Sequence, residues 1–381
     1  MLCYYNNYYY YLTPGSFTTK LYKWSGDEMC LLSNMIGQFL HVSVSLFFFI
    51  TIQTVDLVAV WGNIPLMTAD AFLLLTNFAH AVKMFMILAK KSLLQQIIHD
   101  TEKLLDFKEN SVKQAFVDRH ARNTIGILRF YLLLCSFTLS LWSLGPFFSQ
   151  QEGALPLNGW YPYSASDSPA YELTYIHQII VIFISAALNI IVDTLITSLI
   201  SQIGCQLQIL KYNLNQMTAD IHNELNDSME SLENNRLVSC IEHHQQILTL
   251  TNQMEECFSF TIFVQLAVSL FIICVSAFQI AEVPISIINV QLFGMGLYLC
   301  VMLYQVFIYC WHGNEVIIQS KDISMSAYSC MWYKCSPLFK KDLRTLMTQT
   351  IRPLQFTAYG FVDLSVVTFM KGPIFIAVVH M

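Results

Sequence analysis

Seven long apolar runs constrain the fold of this chain more than any other feature. At about 20 residues or more, each is long enough to cross the hydrocarbon core of a bilayer as an α-helix. The runs are Leu31–Ile52, Ile64–Ala89, Ile125–Phe148, Leu173–Ile200, Phe258–Phe278, Ile285–Cys310 and Phe356–Val379. They lack the alternation of membrane barrel strands, and only helices and closed barrels satisfy backbone groups in lipid. The sequence therefore predicts an all-α, polytopic membrane protein with seven transmembrane helices, numbered spans 1 to 7.

The composition excludes most soluble classes of protein. Only 12% of the 381 residues are charged, whereas a soluble protein carries about 25%. The net charge is −6 and no basic tail is present, so nucleic acid is not expected as a partner. The 11 cysteines form no Cys-x-x-Cys pair, and His243–His244 beside Glu242 is either a metal site or a solvated helix face. We expect the second, and hence no metal, no cofactor and no catalytic residue.

The distribution of lysine and arginine predicts the orientation in the membrane. Two lie before span 1, seven between spans 2 and 3, two between spans 4 and 5 and six between spans 6 and 7. The loops between spans 1 and 2, 3 and 4, and 5 and 6 contain none. Because basic loops stay in the cytoplasm, the N-terminus is predicted inside and the C-terminus outside, opposite to a G-protein-coupled receptor.

The predicted regions follow from these spans. They are a cytoplasmic N-terminal segment at 1–30, spans 1–6 at 31–310 with long cytoplasmic 2–3 and 4–5 segments, cytoplasmic helices at 311–355, and span 7 at 356–381. Apolar residues at helical spacing predict that span 4 continues as a cytoplasmic helix, and a similar stripe precedes span 7. The two stripes are Leu207, Leu210, Leu214, Met217, Ile221 and Leu225, and then Phe339, Leu343 and Leu346. Each stripe needs a partner, either within the chain or from another subunit.

Three charged residues lie inside spans at similar depth: Lys83, Arg129 and Asp193. Because an isolated charge in lipid is costly, we predict that Asp193 pairs with Lys83 or Arg129. The alternative is that the basic side chains extend to the membrane surface.

The polar stretch "YCWHGNEV" at 309–316 interrupts an apolar run. Tyr309 and Trp311 suit a membrane interface, so we interpret the stretch as the cytoplasmic exit of span 6. The helix is expected to continue through Val316–Ile318, and Gly313 is not expected to end it.

Motifs near the C-terminus resemble those of the insect odorant receptors, a family of ligand-gated ion channels. The motifs are "CWHGNEVIIQS" at 310–320, "SAYSCMWY" at 326–333 and "IRPLQFTAYGFVDLSVVTF" at 351–369. "DLVAVWGN" and "DAFLLLTNFAHAVKMF" in the first third are also similar to the family. The resemblance implies seven helices, a plasma-membrane receptor of sensory neurons, and a heterotetrameric, non-selective cation channel formed with a coreceptor subunit. A gustatory receptor of the same superfamily and a secondary transporter are the alternatives.

The resemblance also implies where function resides. A volatile small molecule binds in the outer half of the bundle, between helices 2, 3, 4 and 6, and helix 7 lines the pore. Choosing by depth and residue type, we expect the ligand-binding residues to be Phe72, Thr76, Phe137, Ser140, Trp142, Tyr175, Ile179, Phe183 and Tyr298. For each of them, the alternative is a lipid-facing or packing role. The aromatic 3–4 loop either caps the pocket or is an ordinary solvated loop.

Two further sets are implied for assembly and conduction. The cytoplasmic subunit anchor would contain Trp311, Glu315, Tyr328, Trp332, Tyr333 and Pro353. The pore and gate would contain Phe369, Phe375, Val378 and Val379. The sequence departs from the family after Lys371, where Gly372–Pro373 falls within span 7. A splice form, an imperfect gene sequence and a real variant are the three explanations.

Overall fold

The computed structural model describes residues 47, 49–62, 64–105, 111–148, 155–157, 159–161, 163, 167–218, 227–282 and 290–374. Its helices are α1 (Phe49–Ala59), α2 (Ile64–Ala89), α3 (Lys91–Leu105), α4 (Ser111–Phe148), α5 (Ala170–Gln216), α6 (Asp227–Glu282), α7 (Val290–Tyr328), α8 (Pro337–Gln349) and α9 (Val366–Phe369). A 3₁₀ turn spans Trp332–Lys334, a π-helical turn spans Met370–Ile374, and strands β1 (Thr357–Ala358) and β2 (Val362–Asp363) pair antiparallel. The chain is therefore helical, as predicted.

Four helices of the described part, α4 to α7, are long and apolar enough to cross a membrane. They contain the described residues of spans 3 to 6, and α2 has the bounds predicted for span 2. Large apolar side chains on the outside of α4 and α5, such as Leu133 and Ile180, are about half or more exposed. A soluble monomer rarely exposes apolar surface on this scale, and these side chains suit contact with lipid chains.

The long helices continue beyond the membrane and pack against each other. Helix α5 has 47 residues, a length of about 70 Å, whereas the hydrocarbon core is about 30 Å thick. Its apolar stripe at Leu207, Leu210 and Leu214 is fully buried. Phe339 on α8 is also fully buried. The stripes therefore find their partners within the chain; Ile221 and Leu225 lie outside the described residues.

Span 7 begins later than predicted. Residues 356–365 contain the β1–β2 hairpin, whose turn places Tyr359 and Gly360 at positive φ, 53° and 74°. The helix begins only at Val366, where the Ser365 hydroxyl accepts a hydrogen bond from the Thr368 N–H at 3.1 Å. The prediction of helix over 356–365 is therefore wrong, because a short apolar run rich in β-branched and aromatic residues also suits strands.

Gly313 explains part of the "WHGNE" motif. A Cβ at this position would lie 2.5 Å from Leu364 Cβ and closer still to the Leu364 carbonyl oxygen. Only glycine therefore lets the segment that follows β2 lie directly on α7. The helix continues through Gly313 to Tyr328, as predicted. Trp311 is 48% exposed, whereas Tyr309 is fully buried within the protein; their position at the membrane interface stays a prediction.

Candidate ligand-binding site

A cavity of about 110 Å³ lies between helices α2, α4, α5 and α7, and Phe49 of α1 also lines it. It occupies the outer end of the bundle, meaning the end that the charge distribution predicts to be extracellular. Its walls are mostly aliphatic and aromatic, and the described residues that line it include no Asp, Glu, Lys or Arg. Such a cavity suits a neutral, largely apolar molecule with few polar groups.

An aromatic pair forms one wall of the cavity. Trp142 stacks on Tyr298, with ring centroids 5.3 Å apart and planes inclined by 29°. The Tyr298 hydroxyl lies 2.5 Å from the hydroxyl of Thr76, which joins α7 to α2. A Cβ at Gly294 would lie 2.8 Å from Trp142 Nε1, so the absence of a side chain at Gly294 leaves room for the indole ring. The position of this wall thus depends on a small residue one turn away on α7.

One described residue of the loop before α5 forms part of the cavity wall. Leu157 is buried and lines the cavity. Gln178 holds the loop, since its Oε1 accepts from the Leu157 N–H and its Nε2 donates to the Leu157 carbonyl, both at 3.1 Å. The same amide donates to the Tyr161 hydroxyl at 2.9 Å. Burial raises the pKa of the Tyr161 phenol, although this hydrogen bond opposes the shift. The predicted capping role of the loop is consistent with this geometry.

A buried polar network lies beneath the cavity and centres on Asp193, which is fully buried. Lys83 Nζ lies 2.5 Å from Asp193 Oδ1 and donates to Asn189 Oδ1 at 2.8 Å. The hydroxyls of Tyr131 and Tyr309 donate to Asp193 at 3.3 and 2.8 Å. The predicted pairing of Asp193 with Lys83 is confirmed. The alternative partner, Arg129, is exposed on α4.

The network shares residues with the cavity and extends away from it. Tyr131 and Asn189 line the cavity and also belong to the network. Gln305 donates to Asp193 and accepts from Gln265 of α6 at 2.8 Å. Side chains of α2, α4, α5, α6 and α7 are thus hydrogen-bonded in one layer. A buried charge pair needs such additional hydrogen bonds to offset its desolvation.

The nine predicted ligand-binding residues differ in whether they line the cavity. Thr76, Trp142 and Tyr298 line the cavity. The side chain of Phe72, on α2, lies outside the described residues. The other five do not line the cavity: Phe137, Ser140, Tyr175, Ile179 and Phe183.

Those five have other surroundings. Phe137 is 52% exposed on the side that suits lipid. Ser140 is exposed and donates to the Ser136 carbonyl of its own helix. Tyr175 donates to the Ser143 carbonyl, while Ile179 and Phe183 are half-buried on α5. A ligand-binding role for any of the nine stays a prediction.

Sequence reasoning missed most of the lining, and the reason is physical. On α5 the lining includes Ser185 and Ala186, small residues that leave space, whereas the prediction favoured aromatic ones. A membrane helix is apolar all round, so periodicity does not identify its inward face. One signal was available, because His80 follows Thr76 by four residues and therefore lies on the same face of α2. His80 indeed lines the cavity.

The other predicted residues lie away from the cavity. Tyr328 and Tyr333 are 57% and 61% exposed, and Trp332 lies between them with its ring centroid 6.1 Å from that of Tyr328. Glu315 accepts from Gln319 at 2.8 Å, and Pro353 is half-buried. Phe369 packs edge-on against Phe307, with centroids 5.6 Å apart. Phe375, Val378 and Val379 lie outside the described residues.

The histidine pair also has a structural place. Within the described ranges, no group of three or more His, Cys, Asp and Glu residues could hold a metal ion. His243 Nε2 lies 3.0 Å from Gln206 Oε1 on α5, and His244 is buried. The expected solvated helix face is therefore wrong for these two residues, which pack against the neighbouring helix.

Comparison with known proteins decides the family. A family model described as "7tm Odorant receptor" matches residues 63–372, which is most of the chain. The chain belongs to this odorant receptor family. Odorant receptor 46a, isoform A, of Drosophila melanogaster is 26% identical over 333 residues, covering 84% of this chain and 85% of that protein. Odorant receptor Or1 of Anopheles gambiae is 27% identical over 214 residues, but the match spans only 49% of its length.

Solved structures support the fold of this odorant receptor. The olfactory receptor OR5 of Machilis hrabei, solved in complex with eugenol, superposes with a TM-score of 0.76 at 15% identity. The match covers 90% of this chain and 86% of that one. These structures support a helical membrane-protein fold, and membership of the odorant receptor family makes the chain a multi-pass membrane receptor and not an enzyme, as the sequence predicted.

Proposed function

We propose that this odorant receptor is the tuning subunit of a ligand-gated, non-selective cation channel. A volatile molecule binds in the outer cavity, and binding favours the open state because the ligand binds that state more tightly. The receptor works in the plasma membrane of sensory dendrites as a heterotetramer with a coreceptor subunit. The OR5 receptor of Machilis hrabei was solved in complex with eugenol, a small volatile of the kind proposed here.

The observation that carries this proposal is the cavity itself. It is bounded by helices α2, α4, α5 and α7 and by Leu157, and no charged side chain is among the described residues of its lining. Concave apolar cavities with a few polar groups are the typical sites of small neutral ligands. The network beneath it supports a coupling role, since Tyr131 belongs to both the cavity and the Asp193 network.

Exposed aromatic residues support the proposed assembly. Tyr328, Trp332 and Tyr333, which we call the anchor patch, lie at the last residue of α7 and in the 3₁₀ turn that follows it. Met325, 66% exposed, extends the patch. Aromatic side chains and methionine are enriched at protein interfaces, so we propose that this patch contacts neighbouring subunits.

The test is co-expression of this receptor with a coreceptor in cells, followed by current recording with a panel of volatile compounds. We expect ligand-dependent cation currents that cells expressing the coreceptor alone do not give. Surface delivery is measured in the same cells with an extracellular label. Absence of ligand-dependent current despite surface delivery would contradict the channel proposal.

A variant pair tests the assembly surface. Replacing Tyr333 with Ala in the anchor patch is expected to reduce co-purification of the coreceptor. The control is Phe130→Ala, which removes an aromatic ring that is 53% exposed on α4 and lies within predicted span 3. Equal co-purification of the two variants would contradict the anchor assignment.

A further inference from the structure

One polar atom of the cavity lining lacks a partner. His80 is 3% exposed, and its Nε2 has no hydrogen-bond partner among the described residues. It lies one helical turn from Thr76 and lines the same cavity. A buried polar atom without a partner costs free energy, and native structures contain few of them.

Several other polar side chains of the lining are already paired. The Thr76 and Tyr298 hydroxyls pair with each other, and Asn77 Nδ2 donates to Gln53 Oε1 at 2.9 Å. The Thr138 hydroxyl donates to the Leu134 carbonyl at 2.9 Å. Below, Lys83 is engaged by Asp193 and Asn189. Among the described residues of the lining, His80 is thus the one with a fully buried side-chain atom that has no hydrogen-bond partner, so a ligand that reaches this nitrogen gains a hydrogen bond without breaking one.

The chemistry of imidazole restricts the partner. Nε2 of a neutral histidine donates in one tautomer and accepts in the other. A hydroxyl group both donates and accepts, so it pairs with either tautomer, whereas an ether or carbonyl oxygen only accepts. Because the described residues of the cavity lining include no charged side chain, a neutral molecule is favoured over an ionised one.

We propose that His80 recognises the hydroxyl group of a compact alcohol or phenol, with a body of roughly one aromatic ring. This inference rests on the proposed function, since it takes the cavity as the ligand site. His80 determines specificity: it selects a hydroxylated ligand over a hydrocarbon of the same shape. The aliphatic and aromatic walls supply affinity without distinguishing the two.

Matched probe sets test this specificity. One set is p-cresol, p-xylene and 4-methylanisole; the other is 1-hexanol, heptane and 1-methoxyhexane. In each set the first compound carries a hydroxyl, the second carries a methyl group in its place, and the third is the methyl ether. For the unmodified receptor with its coreceptor, we expect the hydroxyl compound to be about three- to tenfold more potent than the hydrocarbon of the same set. This ratio is the equivalent of one neutral hydrogen bond.

The variants separate recognition from packing. His80→Leu is expected to abolish the preference for the hydroxyl compound while keeping the response to the hydrocarbon. His80→Gln keeps a polar nitrogen and oxygen on a flexible side chain and is expected to restore part of the preference. His177→Leu, the same substitution at an exposed position of α5, is expected to leave the preference unchanged.

A binding assay keeps this result separate from the channel proposal. The thermal unfolding temperature of the purified receptor is measured with each probe. A His80-dependent stabilisation by the hydroxyl compound without any current would support the recognition role and contradict the channel. If His80→Leu preferred the hydroxyl compound as strongly as the unmodified receptor does, the recognition role would be overturned. The same holds if His80→Leu lowered the unfolding temperature of the ligand-free receptor without changing the preference. A receptor that is neither opened nor stabilised by any probe would also overturn it.

Discussion

The outer cavity and the layer beneath it are packed by opposite rules. At the cavity, side chains from four helices leave about 110 Å³ of space, and His80 Nε2 has no hydrogen-bond partner among the described residues. In the layer beneath, Asp193 is fully buried and accepts hydrogen bonds from side chains of α2, α4 and α7. His80 and Lys83 lie three residues apart on α2. The change from a cavity with an unpaired nitrogen to a layer of hydrogen-bonded side chains therefore occurs within about one helical turn.

This contrast indicates a division of roles between neighbouring layers. A cavity lowers stability because its walls lose contacts, so a receptor with an open ligand site needs dense packing elsewhere. The Asp193 layer supplies hydrogen bonds among five helices, and the fully buried residues of α5 supply apolar contacts toward the inner end. Substitutions in the Asp193 layer, which we call the filled layer, should therefore affect folding, whereas substitutions at the cavity should affect the ligand response.

The largest expected effect is the loss of the buried charge pair. Asp193→Asn leaves Lys83 buried without a counter-charge, and breaking such a pair costs about 3–5 kcal/mol. We expect a large fall in the thermal unfolding temperature of the purified receptor and loss of surface delivery. Asp322→Asn is the control, because Asp322 pairs with Lys211 at 2.8 Å but its side chain is 55% exposed. Such a surface pair contributes only about 0–1 kcal/mol.

A double variant makes the test of the pair specific. Replacing both residues together, Lys83→Met with Asp193→Asn, removes both charges and keeps an amide oxygen that accepts from the Tyr131 or Tyr309 hydroxyl. The uncompensated buried charge, which makes the single substitution costly, is then absent. Recovery of folding in the double variant is expected. If Asp193→Asn lowered stability no more than Asp322→Asn, the filled layer would not depend on its charge pair.

The second effect concerns Gly313, where the hairpin segment lies on α7. Gly313→Ala places a methyl group against Leu364, and overpacking of this kind costs about 1–3 kcal/mol. We expect a lower unfolding temperature with an unchanged ligand preference. Gly126→Ala is the control, since a Cβ there meets nothing within 4 Å and alanine favours the helix. A stable Gly313→Ala receptor would show that the hairpin segment is free to move away from α7.

The sequence predicted the filled layer better than the cavity, and the reason lies in particular residues. A charge in an apolar span requires a partner, so Asp193 and Lys83 could be matched by depth alone. Leu207, Leu210 and Leu214 repeat at helical spacing with polar residues opposite, which identifies a buried face. In contrast, no rule of spacing predicts where packing leaves a gap, and Ser185 and Ala186 matter because they are small.

Span 7 shows a second limit of prediction. Its apolar run contains Gly360 in a left-handed turn and Ser365 at a helix N-cap, and both residues are local signals for a break. The length of the run nevertheless suits a membrane span, which is why the sequence predicts one helix there. The contact that fixes the break, Leu364 on Gly313, joins residues 51 positions apart and depends on tertiary packing.

The third effect acts on the cavity wall. Gly294→Ala places a methyl group 2.8 Å from Trp142 Nε1, so the indole must move and the wall it forms with Tyr298 changes shape. A change of about one methylene in an apolar pocket alters binding by about 1–3 kcal/mol. We expect potency to change at least about tenfold for bulky ligands, with little loss of surface delivery. The measurement is a dose–response curve of the ligand-dependent current.

A neighbouring glycine gives the control for the cavity wall. Gly296 lies on the same helix, and a Cβ there meets nothing within 4 Å. Gly296→Ala should therefore leave potency unchanged. Equal dose–response curves for Gly294→Ala and Gly296→Ala would mean that the Trp142 wall does not contact the ligand.

The smallest expected effect concerns the loop that contributes Leu157 to the cavity wall. Gln178 is fully buried, so Gln178→Leu removes the hydrogen bonds to Leu157 and Tyr161, and these groups are paired again only when the loop moves and water reaches them. Stability should fall by only about 0.5–1.5 kcal/mol. Because Leu157 leaves the cavity mouth more often, ligand release should accelerate by about two- to tenfold, since changes of affinity appear mainly in dissociation. The readout is current decay after rapid removal of ligand. Gln246→Leu, at an exposed position of α6, should decay like the unmodified receptor. Unchanged decay in Gln178→Leu would show that ligands leave the cavity by a route other than this loop.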